Sequence, residues 1–599
     1  MNYSLVNAQA IVMLKADFSD VRETVDLSGF WHFKADPQKK GEEQKWFEQT
    51  SFESWDWIYA PASWNEQSSD YMWYMGAAWY AKEIFAPAGW SDKLVFVGFE
   101  GVNYLAKIWV NGVFVGEHEG GFTPFTVNAE KALKFNGNNV VVVMVDDTLT
   151  KRTIPPGEGM SQTYFDFFHY GGIHRDVYLS AVHRIHIRDV WVRTGIRESD
   201  GIIDINVDCL SELDKEHFCK VTFKIYDGNN LVAESRISYM ASPNTPKSLY
   251  QKIILKVAKF WSPESPHLYT LRTSILLDEV EIDRKDVRFG IRTVKVENGK
   301  MLVNGRPVFL KGCARHEDFP ILGKAVHGAV LRKDYGLMKE LGCNSFRTSH
   351  YPYSRSNLDL ADELGFLVIL ETPAVGFRKA MGRFDDPEIV EKVKRVTREM
   401  IVRDRSRPSV IMYSLFNEPD SEQEDFRTLL QEAKKEANKV DPTRPVTFVS
   451  DRPLIDKCLD VVDVLCHNFY FGWYSLYGDL DAAEKRLSET LDEVHNKFPD
   501  KPIVVTEFGA DAIDGVHKEP PEMWSEEYQA EFIRRYWRVF ISKGFVVGGH
   551  IWNFADFKTG QSYMRTTLNR KGIFTRTLDP KASVKVVKEL FTNTPTYKQ

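Results

Sequence analysis

Cysteine is scarce: there are six in 599 residues, at positions 209, 219, 313, 343, 458 and 466. They form no CxxC pair and no cluster with metal-ligand spacing, so neither a disulfide scaffold nor a metal site is expected. So few cysteines in a long chain suit a reducing compartment. Long apolar runs are missing too. The longest aliphatic stretch, residues 140–145 (VVVVMV), stops at Asp146 and Asp147, well short of the roughly 18 residues of a membrane span. Residues 5–14 lean apolar, but Asn7 and Gln9 interrupt them and no Lys or Arg precedes them. That is a poor signal peptide. The one N-x-S/T sequon is at Asn2. These features together lead to the expectation of a cytoplasmic protein with no membrane partner. An excess of positive charge is also absent. The sum is 77 minus 84, or −7, so nucleic acid is not an expected partner.

The chain does have the makings of several cores. Hydrophobic residues are 43% and charged residues 27% of its 599 positions, an ordinary globular balance at a length that implies more than one domain. The first part reads as short β-rich runs between Gly, Asn and Asp turns: LVFVGFEG (94–101), AKIWVNGVFVGEH (106–118) and NNVVVVMV (138–145). Asn111-Gly112 between apolar runs is a strong hairpin signal. From 186 to 290 a second all-β stretch follows, with GIIDINVDC, FCKVTFKIYDG and LYTLRTSILL. Several alternating strands in about 100 residues fit an immunoglobulin-like β-sandwich.

After Gly290 the rhythm becomes strand, helix, strand, helix. Eight candidate strands fall at 309–316, 343–349, 366–371, 410–417, 445–450, 463–470, 502–507 and 546–553. Leu331, Tyr335, Met338 and Leu341 recur on one helix face, as do Tyr528, Phe532, Tyr536 and Val539. Eight such units in about 300 residues predict a (β/α)8 TIM barrel. The expected domains are therefore 1–185, 186–290 and 291–599.

In a TIM barrel the chemistry sits at the C-terminal ends of the strands. Strand four runs into Asn417-Glu418-Pro419 and strand seven into Glu507-Phe508-Gly509. These strands face each other across the barrel, and two carboxylates over one cleft suffice for glycoside hydrolysis. One must stay ionised, and its charge raises the pKa of the other, which holds a proton for the leaving oxygen. Strand position alone does not decide which glutamate does which. Glu371 and Glu317 also follow strands but have less suggestive neighbours. The rival of another class is a noncatalytic carbohydrate-binding protein. The presence of both glutamates argues against it.

Several motifs resemble family 2 glycoside hydrolases, and within that family the β-glucuronidases, over residues 20 to 590. They are WVNGVFVGEHEGGFTPF (109–125), FGIRTVKV (289–296), SFRTSHYPY (345–353), SLFNEP (414–419) and NRKGIFTR (569–576). The resemblance implies a jelly-roll β-sandwich before the immunoglobulin-like domain and the barrel. It makes Glu418 the acid/base and Glu507 the nucleophile of a retaining mechanism, with carboxyl groups about 5–5.5 Å apart. It implies no metal, no cofactor and a homodimer or homotetramer.

Further roles follow from the resemblance. Asn569 and Lys571 would bind the uronate carboxylate, with Lys571 as a buried charge that a neutral sugar cannot compensate. Tyr474 and Arg565 would add contacts to that carboxylate. Tyr470 would hydrogen-bond the nucleophile, Asn417 would touch the 2-hydroxyl, and Asp166 and His316 would hold other hydroxyls. Trp552 would form the floor. Arg347 and His350 read as supports around the nucleophile. The implied activity is exo-β-glucuronidase. The alternatives are β-galacturonidase, β-galactosidase and β-mannosidase. Tyr413, Phe416, Phe471 and Phe508 depart from common family residues and suggest a more apolar rim. The segment 376–388 is short where some members carry a covering loop, so bulky glucuronides are expected to be accepted at least as well as small ones.

Overall fold

The computed structural model describes Ser19, residues 21–160 and residues 162–597. The apolar stretch 5–14 and the sequon at Asn2 lie outside the described residues.

The first unit is a β-sandwich. One sheet orders Glu23–Asp26, Val177–Val182, Leu94–Phe99 and Phe125–Asn128. The other orders Asp56–Ala60, Gly29–Asp36, Ala77–Ala86, Gly137–Asp146, Leu105–Val110 and Val113–Glu119. Trp31, Phe33, Tyr80, Val97 and Val143 fill the space between them. Asn111 and Gly112 turn the hairpin at φ of 51° and 78°, the left-handed pair that a two-residue turn demands.

The second unit packs a three-stranded sheet (Ile185–Arg197, Asp200–Ser211, Lys247–Leu255) on a four-stranded one. In Asp200–Ser211 buried and half-buried side chains alternate without a break. This is the period-two pattern of a strand with one face in a core.

The third unit is a closed barrel of eight parallel strands: Leu310–Ala314, Ser345–Arg347, Leu367–Glu371, Val410–Asn417, Val446–Ser450, Leu465–Asn468, Ile503–Phe508 and Val546–Ile551. Each falls within a segment expected from the sequence or extends it by one residue. Helix Gly328–Glu340 buries Leu331, Tyr335 and Met338, and helix Glu526–Ser542 buries Tyr528, Phe532, Tyr536 and Val539. The alternation is incomplete: no helix separates strands five and six. Among the described residues no helix is long and apolar enough to cross a membrane. All six cysteines are buried free thiols.

The first unit docks on the barrel through buried polar pairs. Arg175 bridges to Glu317 at 3.0 Å, and Thr123 donates to Glu399 at 2.6 Å. Gly376, at φ of 78°, lies so close to the Tyr164 carbonyl that a Cβ would come within 2.2 Å of it. That contact seats the loop after strand three against the first unit's loop at 163–166.

Candidate active site

A cavity of about 400 Å³ opens where barrel strands four and seven end. Glu418, Glu507, Asn417, Tyr470 and Trp552 line it, and Asp166 reaches in from the first unit. Trp552 is 5% exposed and lies against the His350 ring, centroids 5.0 Å apart, as a floor.

Glu507 is gripped from three sides. Tyr470 donates its hydroxyl to Oε2 at 2.6 Å. Arg347 donates to Oε1 and, at 2.9 and 2.8 Å, to both oxygens of Glu371. His350 turns Nδ1 to Glu371 at 2.8 Å and Nε2 towards Glu507 at 3.6 Å. Burial raises the Glu507 carboxyl above its ordinary range, while the Arg347 charge and the Tyr470 hydrogen bond restrain that rise.

Glu418 adopts a left-handed backbone, φ 48°, at a cost of about 1–2 kcal/mol for a residue with a Cβ. Its N–H binds the Val449 carbonyl at 2.8 Å, so strand five holds the turn. Its Oε1 accepts from Asn468 Nδ2 at 2.7 Å, and its Oε2 accepts from Arg378 at 3.2 Å. Burial, then Asp451, then Glu507 push its carboxyl up to about 7. The charge of the partner glutamate, which the sequence offered as the cause, ranks behind burial and behind an aspartate the sequence reading did not single out.

At the other end of the cavity Arg565 pairs with Asp166 and donates to the Tyr474 hydroxyl at 2.7 Å. Lys571 donates to the same hydroxyl at 2.8 Å. Its ammonium is also paired with Asp511, and both side chains are wholly buried. This corrects the argument that only an anionic substrate could compensate Lys571: the chain itself supplies the counter-ion. Asn569 donates to Asp166 at 3.1 Å and accepts from the Lys571 N–H at 3.1 Å. Lys571, Asn569 and His316 are buried next to residues that line the cavity, Lys571 on Tyr474, Asn569 on Asp166 and the His316 ring edge-on to Trp552. His316 Nδ1 meets the Tyr351 hydroxyl at 3.0 Å, its buried Nε2 has no hydrogen-bond partner among the described residues, and its ring packs against Phe167 and Phe557.

The apolar rim is a second correction. Tyr413, Phe416, Phe471 and Phe508 do not line the cavity. Tyr413 is fully buried and donates to Asp441 at 2.7 Å, Phe416 packs on Phe377, Phe471 stacks on Phe469, and Phe508 stacks on Tyr536. Tyr413, Phe416 and Phe508 belong to the large hydrophobic core and Phe471 packs against it. An irregularity in strand four between Ser414 and Asn417 lets Tyr413 and Phe416, three residues apart, both enter that core.

Comparison with known proteins places this geometry. The family models for glycosyl hydrolases family 2 match in three parts: the sugar binding domain over residues 24–183, a central segment over 185–292 and the TIM barrel domain over 294–595. The chain belongs to glycosyl hydrolase family 2. A β-glucuronidase of Paenibacillus borealis is 36% identical over 594 residues, covering 95% of this chain and 96% of that protein. The solved β-D-glucuronidase of Dictyoglomus thermophilum superposes with a TM-score of 0.89 at 35% identity, covering 98% and 100% of the two chains. That of Ruminococcus gnavus in complex with D-glucuronic acid does so with a TM-score of 0.89 at 33% identity, covering 96% and 99%.

For a family 2 glycoside hydrolase the site holds more carboxylates than the two its chemistry needs. Asp451 directly follows strand five, and Asp511 lies four residues past Glu507. The rule that singled out Glu418, a carboxylate where an apolar strand stops, also points to Asp451. Arg378 and Asn468 carried no comparable signal. Only the fold brings the loop after strand three and the end of strand six to Glu418.

Proposed function

We propose that this family 2 enzyme is a retaining, exo-acting β-glucuronidase. The observation that carries the reading is one cavity holding two carboxylates and, beside them, a clamp suited to a uronate. Glu507 attacks the anomeric carbon while Glu418 gives its proton to the leaving oxygen. Glu418 then takes a proton from the water that opens the glycosyl-enzyme. Arg347 and Tyr470 favour the charged form of Glu507, and Asp451 disfavours the charged form of Glu418, so the proton the two share resides on Glu418.

The sugar preference rests on the clamp. The Tyr474 hydroxyl accepts from both Arg565 and Lys571, which leaves its own proton to donate to a substrate carboxylate. Before substrate arrives the two cations balance Asp166 and Asp511. Binding exchanges the Arg565–Asp166 pair: the guanidinium turns to the uronate and Asp166 to a sugar hydroxyl. Asn569 steers Asp166, Asn417 contacts the 2-hydroxyl, Trp552 carries the ring, and the unpartnered His316 Nε2 supports its reading as a further hydroxyl ligand. The same clamp suits a galacturonide, so both uronides belong in the test. It compares kcat/KM on p-nitrophenyl β-D-glucuronide, β-D-galacturonide, β-D-galactoside and β-D-mannoside. The glucuronide is expected to win by at least about a hundredfold over the neutral sugars. A neutral sugar at the top would remove the clamp from its role.

Domain limits near 185 and 290 are supported by the strands that end at Val182, begin at Ile185 and end at Phe289. A homodimer or homotetramer is supported by exposed aromatic side chains on the first sandwich, Phe30 at 64% and Trp57 at 63%. The mass in solution against 69.1 kDa tests it. Six buried cysteines with no disulfide among them support a cytoplasmic location.

A further inference from the structure

The assignment of Glu418 as acid/base leaves an unexplained arginine beside it. Arg378 comes from the short loop after strand three, lines the cavity, and is 27% exposed. Lys379 N–H to Asp420 at 2.6 Å and Asp420 N–H to the Phe377 carbonyl at 2.9 Å pin that loop. The guanidinium itself is not pinned. Its four contacts, to Glu418, Asp420 and twice to Asp451, measure 3.2, 3.4, 3.4 and 3.5 Å. Charge-assisted bonds ordinarily close to about 2.7–2.9 Å. One nitrogen, Nη2, is shared between Glu418 Oε2 and Asp451 Oδ2. Asp451 is held from behind by Arg452, at 3.2 Å to its other oxygen.

We infer that Arg378 and Asp451 are positioning residues for Glu418, exchanging one guanidinium hydrogen bond with it as it passes from acid to base. This rests on the reading of Glu418 above. While Glu418 is protonated, Nη2 belongs to Asp451. Once Glu418 has given its proton to the leaving oxygen, the C–O bond has broken and Glu507 has bonded to the sugar, Glu418 carries the charge and Nη2 turns to it. The proton later taken from water reverses the exchange. A fixed cation would stabilise the charged form throughout and weaken the acid. A fixed anion would do the reverse. The pair supplies each charge when it is needed.

The other groups facing Glu418 are His350 from the loop after strand two, Asn468 at the end of strand six, Tyr470 just past it and Glu507 from strand seven, while Asp420 faces Arg378 at 3.4 Å. All of them remain in the variants Arg378→Gln and Asp451→Asn. The readout is the alkaline limb of kcat/KM on phenyl β-D-glucuronide, whose leaving group needs an acid, set against 2,4-dinitrophenyl β-D-glucuronide, whose leaving group does not. Asp451→Asn should move the limb down by about 0.5–1 pH unit and Arg378→Gln should move it up by a similar amount. The double variant should return near wild type, because the shifts oppose each other. Arg378→Lys, which keeps the charge, should stay within about 0.3 unit of wild type and serves where Gln fails to fold. Glycosylation from the dinitrophenyl substrate should change less than threefold. Limbs unmoved in both single variants, or one equal loss on both substrates, would overturn the inference. Full activity of Glu418→Gln on the phenyl substrate would instead remove the acid/base reading, and the inference with it.

Discussion

At the scale of single residues, the two glutamates are told apart by their neighbours and not by their own chemistry. Glu507 faces a cation and a phenol, and Glu418 faces an arginine that an aspartate shares and whose effect that aspartate outweighs. Glu418→Gln should therefore lower kcat/KM on phenyl glucuronide by about 10²–10⁴ and spare the first step on a dinitrophenyl glucuronide. Equal losses on both substrates would count against it as the acid. The pH sign follows from the same environments. The acid must be protonated and its carboxyl lies at about 7, so kcat/KM should fall as pH rises through about 7. It should also fall at low pH, where Glu507 takes up a proton. A profile flat from pH 6 to 9 would contradict this.

Lys571 invites a sharper test. Because Asp511 compensates it, Lys571→Met does more than delete a cation. It strips the buried Asp511 carboxylate of its ammonium and leaves it only Arg565 at 3.6 Å and the Arg570 N–H at 2.8 Å, beside the place where a second carboxylate must bind, a loss on the order of 3 kcal/mol. Adding Asp511→Asn should recover a large part of both the thermal stability and the glucuronide kcat/KM. If the double variant is no better than the single one, Lys571 acts by direct contact alone.

At the scale of elements, the sequence foretold the barrel better than it foretold the site. Apolar runs of four to eight residues and helix faces at three-four spacing are local signals, and all eight strands lie where those signals fell. The ends of strands four and seven were legible for the same reason, since a carboxylate closing an apolar run stands out. What escaped is what only tertiary packing creates: Asp511 beside Lys571, Asp451 and Arg378 beside Glu418, and the turn of Tyr413 and Phe508 away from the cavity. A departure from a family's usual residue says that something changed. It does not say which side of the strand the change faces.

The loop after strand three shows how an element sets a residue. Gly376 is left-handed and nearly touches the Tyr164 carbonyl. Gly376→Ala would bring the left-handed cost of about 1–2 kcal/mol and a contact of 2.2 Å with backbone. The loop should lift and carry Arg378 away from Glu418. The measurable result is a lower melting temperature together with an alkaline limb shifted as in Arg378→Gln. A lower melting temperature with an unmoved limb would mean that the loop's seat and the guanidinium's position are independent.

At the scale of the whole molecule, the catalytic barrel does not own its active site. Thr163, Tyr164, Phe165 and Asp166 of the first sandwich wall the cavity, and Asp166 is the partner from which Arg565 must be released. The docking interface is polar and buried, with Arg175 on Glu317 at side-chain exposures of 5% and 2%. Removing one partner of such a pair leaves a buried charge. Residues 291–599 expressed alone would thus take Arg175 from Glu317 and Thr123 and His118 from Glu399, and would leave Arg565 with Asp511 at 3.6 Å in place of its closer partner Asp166. Such a fragment should be poorly soluble. Any soluble fraction should retain less than about a thousandth of the glucuronide kcat/KM, because substrate orientation as well as a hydroxyl contact is lost. Supplying residues 19–290 as a separate chain should restore activity in proportion to complex formed. A barrel fragment that works unaided would mean that the first sandwich only stabilises the fold, and that Asp166 takes no part in holding the sugar.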